Sequence, residues 1–149
     1  MRKPRRPFFW ITVAAYFAYI GCAFVIALLL EPEQEDVTRE LGADDGTLGT
    51  VAAGLLIIGA APFAEEIFFR GFLFAGIRRS VNFVVAALVA SAIWGFFHYT
   101  GEDSWGVVVQ LTVFGVILSW LYEHTDSIWP TIAVHALNNT IAFTYLVST

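Results

Sequence analysis

The residues best able to carry chemistry in this chain lie inside or beside long apolar stretches, where polar side chains are rare. They are two adjacent carboxylates, one arginine, two histidines and two asparagines: Glu65, Glu66, Arg70, His98, His135, Asn138 and Asn139. An ionisable side chain at the centre of a bilayer costs about 2.5–3.5 kcal/mol on insertion scales. Such residues normally face the interior of a helix bundle or a water-filled cavity, so this set predicts a functional site.

The spacing of the two carboxylates separates their roles. Glu66 and Arg70 are four residues apart, which places them on one face of a helix and predicts an ion pair inside the bundle. Glu65 lies about 100° further around the same helix and has no comparable partner in the sequence. An unpaired carboxylate in a dry pocket suits a general base, so we predict that Glu65 activates water and that Glu66 and Arg70 support it.

The histidines leave two chemistries open. His135 and Asn139 are four residues apart on one helix face, and His98 lies in a different apolar stretch. Glu65, His98 and His135 could hold one Zn²⁺, because open catalytic zinc sites use three protein ligands and a water. The same residues could instead activate water directly, with His135 and Asn139 donating hydrogen bonds to an oxyanion. The spacing does not choose between these two arrangements.

The composition indicates the environment of these residues. The chain of 149 residues is 58% hydrophobic, 14% charged and has a mean hydropathy of +0.70. Soluble domains are about 45–50% apolar and about 25% charged, so a water-soluble globule is excluded. Disorder needs low hydrophobicity, and nucleic-acid binding needs a basic face, so both are excluded as well. Cys22 is the only cysteine, which rules out an internal disulfide and a cysteine-based metal site.

The uncharged stretches predict an all-α, polytopic transmembrane bundle of about five spans. A span needs about 20 mainly apolar residues, and five stretches supply them: 8–30, 46–64, 80–101, 104–122 and 127–149. The second stretch resumes after Arg70 and reaches Ile77, giving a helix of about 30 residues and about 45 Å. It must therefore tilt, kink near Pro62, or emerge from the inner face of the membrane.

The basic residues predict the orientation. Four of the eight Lys and Arg residues lie in residues 1–7, which places the N-terminus in the cytoplasm. The acidic loop 31–46 and the C-terminus are then extracytoplasmic, and the first span, 8–30, leads the other four. A cleaved signal peptide is the alternative for this leading helix. Its 23 uncharged residues are much longer than the 7–15 residues of a signal peptide, which favours a retained span.

Three motifs in this order resemble the CAAX prenyl endopeptidase and bacteriocin-processing (CPBP, or Abi) family of intramembrane proteases. The first is Glu-Glu-x-x-x-Arg at residues 65–70, and the third is His-x-x-x-Asn at residues 135–139. The second runs from Trp94 to His98 and begins with Trp where the family usually has Phe. This difference keeps an aromatic side chain, so we expect it to alter the local packing only. The resemblance covers about residues 47–149. It implies that these residues form the family's catalytic core of four helices, with 8–30 as an extra leading helix.

The resemblance implies an intramembrane endopeptidase that acts on a membrane-associated peptide or protein, such as a prenylated tail or a peptide precursor, within the lipid bilayer. Glu65 would activate water with help from His98, and His135 and Asn139 would bind the oxyanion. In an older, metal-dependent view of the family, His135 and Asn139 would instead help to hold Zn²⁺. Family members often have eight spans, so a missing final helix could leave the cavity open or require a homo-oligomer.

Two other functions fit the same residues. A non-catalytic binding or immunity protein could retain the fold, and a proton-coupled transporter or channel could use the buried Glu and His as a proton relay.

The predicted depths of the two histidines in the membrane bear on whether they hold one metal ion. Counted from the cytoplasmic start of each span, His98 lies about 27 Å into the membrane, and His135 lies much closer to the cytoplasmic face. This mismatch favours catalysis without a tightly bound metal, because zinc needs its ligands within about 2.0–2.2 Å.

Overall fold

A computed structural model describes residues 8–32, 37–101 and 104–148 of the chain. The basic segment 1–7 and part of the acidic loop, residues 33–36, lie outside these ranges, as do residues 102–103 and 149. Within the described ranges the secondary structure is helical. The helices, in chain order, are α1 (Phe8–Leu30), α2 (Val37–Glu40), α3 (Thr47–Arg78), α4 (Phe83–Phe96), α5 (Trp105–Thr125) and α6 (Trp129–Leu146).

Helix α3 is continuous along its length and contains two π-helical segments. Leu55–Ala60 and Ile67–Phe74 are π-helical, and the rest of the 32 residues are α-helical. Pro62 follows the first π segment, where its ring and its missing N–H disturb the normal hydrogen-bond pattern. The expected distortion near Pro62 therefore takes the form of a π turn, which is a common way for a helix to bend near a functional site.

Glycines bring α4 and α5 close together. A Cβ atom on Gly95 would lie 2.6 Å from Thr112 Oγ1 and 2.7 Å from the Val108 carbonyl. A Cβ atom on Gly115 would lie 2.7 Å from Ser91 Cβ. Small residues allow membrane helices to pack backbone against backbone, so these two glycines fix the closest contact in the bundle.

The leading helix α1 packs against α5. The Tyr19 ring stacks on Phe114 with ring centroids 4.1 Å apart, and Gln110 Nε2 donates a hydrogen bond to Tyr19 Oη at 3.1 Å. Phe114 in turn lies beside Trp94, with ring centroids 6.0 Å apart. Apart from Ala15 and Tyr19, the side chains of α1 are partly or fully exposed, as expected for a helix that faces lipid.

The helical membrane bundle is confirmed, but fewer helices than predicted have the length and composition of a span. Among the described residues, α1, α3 and α5 are long and apolar enough to cross a membrane. Helix α4 has 14 residues, which rise only about 21 Å. Helix α6 has 18 residues but falls outside these spans because polar residues such as Asn138 and Asn139 interrupt it. Five long helices occupy the five predicted stretches, and three of them are spans by this measure.

Candidate active site

Helix α3 contributes both carboxylates and the arginine of the site. Glu65 and Glu66 end the α-helical segment Ala61–Glu66, and Arg70 lies in the π segment that follows. Glu66 and Arg70 are buried, whereas Glu65 is partly exposed. The two adjacent carboxylates therefore point into different surroundings, as their angular separation on the helix predicts.

Glu66 is the centre of a buried charged cluster. Its Oε1 atom accepts hydrogen bonds from Arg70 Nη1 at 2.8 Å and from His135 Nδ1 at 2.9 Å. Glu66 is 0% exposed and Arg70 is 1% exposed, so the predicted ion pair is confirmed and is fully buried. The contact with His135 was not predicted. Because Nδ1 donates to a carboxylate, Nε2 is the ring atom of His135 that remains for other partners.

Glu65 has a partner that the sequence interpretation missed. Trp94 Nε1 donates a hydrogen bond to Glu65 Oε2 at 2.6 Å. The expectation that Glu65 lacks a partner is therefore wrong, and so is the expectation that Trp94 affects only packing. The sequence contained one signal for this contact, since Trp carries an N–H donor that Phe lacks.

Trp94 connects the three motifs. The Arg70 guanidinium carbon lies 4.5 Å from the centroid of the Trp94 ring, at a distance typical of a cation–π contact. The rings of His98 and His135 lie edge-on to Trp94, with centroids 5.5 Å and 5.3 Å away. Trp94 is 1% exposed. One buried indole therefore contacts a charged or titratable side chain from each motif.

His98 lies just beyond the end of α4 at Phe96. Its Nδ1 atom is 3.0 Å from the Trp94 carbonyl oxygen, which can only accept, so Nδ1 donates and Nε2 is left free. The predicted depth mismatch between the histidines is wrong, because both rings contact the same Trp94 ring. Helix α4 begins at Phe83, after Asn82 accepts a hydrogen bond from the Val85 amide, and not at residue 80 as assumed.

Asn139 joins α6 to the first π segment of α3. Its Nδ2 atom donates a hydrogen bond to the Ile57 carbonyl oxygen at 2.9 Å. The Ala61 amide bonds to Leu56, and Pro62 has no N–H to offer, so neither of these residues gives the Ile57 carbonyl a helical donor. A carbonyl within a membrane bundle needs a partner, and Asn139 supplies it.

The possible zinc ligands Glu65, His98 and His135 do not assemble into a metal site. Within the parts of the chain that the structure describes, no group of three His, Cys, Asp or Glu side chains is placed to hold one ion. Open zinc sites use three protein ligands, and these three side chains are not grouped in that way.

Comparisons with known proteins match the core of the bundle. Residues 47–141 match the family model for type II CAAX prenyl endopeptidases, described as Rce1-like. The chain is 33% identical over 79 residues to the "Putative membrane peptidase YdiL" of Bacillus subtilis, and this match covers 53% of the chain and 31% of YdiL. It is 28% identical over 131 residues to the uncharacterized protein YyaK of the same organism, covering 84% of the chain and 43% of YyaK.

A third relative is matched over more of its length. The UPF0177 protein YxdF of Lactococcus lactis is 27% identical over 134 residues, which cover 88% of the chain and 72% of YxdF. The chain thus spans less than half the length of YdiL and YyaK. No solved structure gives a significant match. Since the family model covers well over half of the chain, the chain belongs to the Rce1-like family of type II CAAX prenyl endopeptidases.

Proposed function

We propose that the chain is a CAAX-type intramembrane endopeptidase that hydrolyses a peptide bond of a membrane-associated substrate. The observation that carries this proposal is the convergence of the three motifs on Trp94, which brings a carboxylate and two imidazole rings to one point of the bundle. The family supports a membrane protease, and the apolar helices supply the lipid environment in which a lipid-linked or strongly apolar peptide would reach the site.

Glu65 is the residue best suited to act as the base. Its Oε2 atom accepts from Trp94, and its Oε1 atom has no hydrogen-bond partner among the described residues. Oε1 can therefore accept a proton from water as the water oxygen attacks the scissile carbonyl. Glu66 cannot take this role as readily, because Arg70 and His135 already share its Oε1 atom and its Oε2 atom is sealed from solvent.

The reaction needs three events at this site. The water loses a proton to Glu65 and forms a C–O bond, and the carbonyl oxygen becomes an oxyanion. Protonated imidazole at His135 Nε2 and the second N–H of the Asn139 amide are the proposed donors to this oxyanion. The C–N bond then breaks, and the proton held by Glu65 passes to the leaving amine, with His98 assisting the transfer.

The test is the substitution Glu65→Gln. The glutamine keeps the size of the side chain but cannot accept the proton, so we expect kcat/KM for a fluorogenic lipopeptide to fall by about 10²–10⁴-fold. The thermal midpoint of the detergent-purified variant should stay close to that of the unaltered chain. Glu123→Gln, at a partly exposed carboxylate paired with Arg78, is the control and should keep full activity.

Full activity of the Glu65→Gln variant would remove the proposed base and overturn this mechanism. Loss of activity in both variants would show that the assay reports folding and not the chemistry of Glu65.

A further inference from the structure

The indole N–H of Trp94 reaches the carboxylate that the proposed mechanism uses as its base. We propose that Trp94 is a positioning residue that holds Glu65 Oε2 and so presents Oε1 to the attacking water. This inference rests on the proposed function, because it concerns how the base is held. The geometry behind it is a 2.6 Å contact between Trp94 Nε1 and Glu65 Oε2, across 29 residues of sequence.

The direction of the Trp94 N–H is fixed by close packing. The guanidinium of Arg70 covers one part of the ring, and the rings of His98, His135 and Phe114 lie around it at 5.3–6.0 Å between centroids. Nothing in this environment leaves room for the indole to turn, since the side chain is almost completely buried. The orientation of the indole N–H bond is therefore fixed by its neighbours.

Glu65 is the mobile partner in this contact. It is partly exposed and has three side-chain torsions, so without a donor it would sample several orientations. A hydrogen bond to an ionised carboxylate is short and stronger than one between neutral groups. Trp94 would thus orient the base.

The other charged groups around Glu65 do not replace this contact. On its own helix, Glu66 and Arg70 are engaged with each other, and Arg70 makes no hydrogen bond to Glu65 among the described residues. His98 of α4 donates Nδ1 to a main-chain carbonyl, and His135 of α6 donates Nδ1 to Glu66. Helix α5 places the Phe114 ring beside Trp94.

The substitution Trp94→Phe tests the role of the N–H. Phenylalanine keeps an aromatic face for Arg70 and keeps the main-chain carbonyl that His98 contacts, but it has no donor for Glu65. We expect kcat for the lipopeptide to fall about tenfold with KM little changed, because the base loses the donor that orients it while the bound substrate keeps its contacts.

The matched control is Trp120→Phe on α5. This tryptophan also contacts a histidine, His124, with ring centroids 4.2 Å apart, but it lies away from Glu65. Its kcat and KM should equal those of the unaltered chain. Equal kcat values for all three proteins would overturn the positioning role of Trp94.

A spectroscopic measurement keeps this inference separate from the proposed function. In protein labelled with ¹⁵N at tryptophan, five indole resonances are expected, and the Trp94 resonance is the one missing from Trp94→Phe. Its proton shift should move upfield in Glu65→Gln, because the neutral amide is a weaker acceptor than the carboxylate, and should stay unchanged in Glu123→Gln. A Trp94 resonance that does not move in Glu65→Gln would overturn the contact, whereas a resonance that moves in a protein without peptidase activity would refute only the proposed function.

Discussion

The substitution Glu66→Ala should destabilise the bundle strongly, because it removes the centre of a buried cluster. Glu66 Oε1 holds Arg70 Nη1 at 2.8 Å and His135 Nδ1 at 2.9 Å, and the alanine variant would leave the guanidinium buried without its counter-charge. Breaking a buried pair by removing one partner costs about 3–5 kcal/mol in soluble proteins. The Trp94 ring over Arg70 is present in both proteins, so this contact does not enter the difference.

The measurement is the free energy of unfolding in mixed micelles of dodecylmaltoside and increasing SDS. Glu123→Ala is the matched control, because Glu123 forms an ion pair of similar length, 3.0 Å, with Arg78. About a third of each side chain in that pair is exposed, so its loss should cost at most about 1 kcal/mol. The ion pairs that the two variants remove thus differ mainly in how deeply they are buried.

A large difference between Glu66→Ala and Glu123→Ala is the expected outcome. Equal losses of less than about 1 kcal/mol in both variants would refute the structural role of the buried cluster. They would also show that the site tolerates an unpaired guanidinium, which would require water or lipid headgroups to reach Arg70.

Two further predictions concern orientation and metal. In a Cys22→Ser background, a cysteine at Ser148 should react with an impermeant thiol reagent added to intact cells, and one at Arg79 should be protected, since the basic residues predict that this turn is cytoplasmic; the reverse pattern would invert the predicted topology. Active protein should keep its turnover in excess chelator, because the described histidines and carboxylates do not form a ligand set. Stoichiometric zinc whose removal stops turnover, and whose return restores it, would overturn that expectation.

Contacts within one helix could be predicted from the sequence, and contacts between helices could not. The Glu66–Arg70 pair follows from a spacing of four residues, which is a property of the helix itself. The contacts of Trp94 with Glu65 and of His135 with Glu66 join residues 29 and 69 positions apart. They depend on how each helix is rotated about its axis, and a π turn within α3 changes that rotation for every residue after it.

A misplaced helix start contributed to the wrong expected depth of His98, and that depth was used to argue against a tightly bound metal. Uncharged composition alone placed the start of the third stretch at residue 80, but the cap supplied by Asn82 starts α4 at Phe83. The helix then ends at Phe96, and the turn that follows brings His98 back to the Trp94 carbonyl. The helix cap and the turn after the helix therefore help to set the position of His98, which a count of residues along a straight helix could not provide.

Asn139 links the irregular part of α3 to the position of His135. Pro62 and the π turn before it leave the Ile57 carbonyl without a donor from Ala61 or Pro62, and the Asn139 amide supplies one. His135 lies four residues earlier on the same face of α6 and contacts Glu66 of the same helix α3. Two contacts on one face fix both the rotation and the height of α6 against α3. The third motif thus needs an asparagine four residues after its histidine for a structural reason, whatever further part that amide takes in binding an oxyanion.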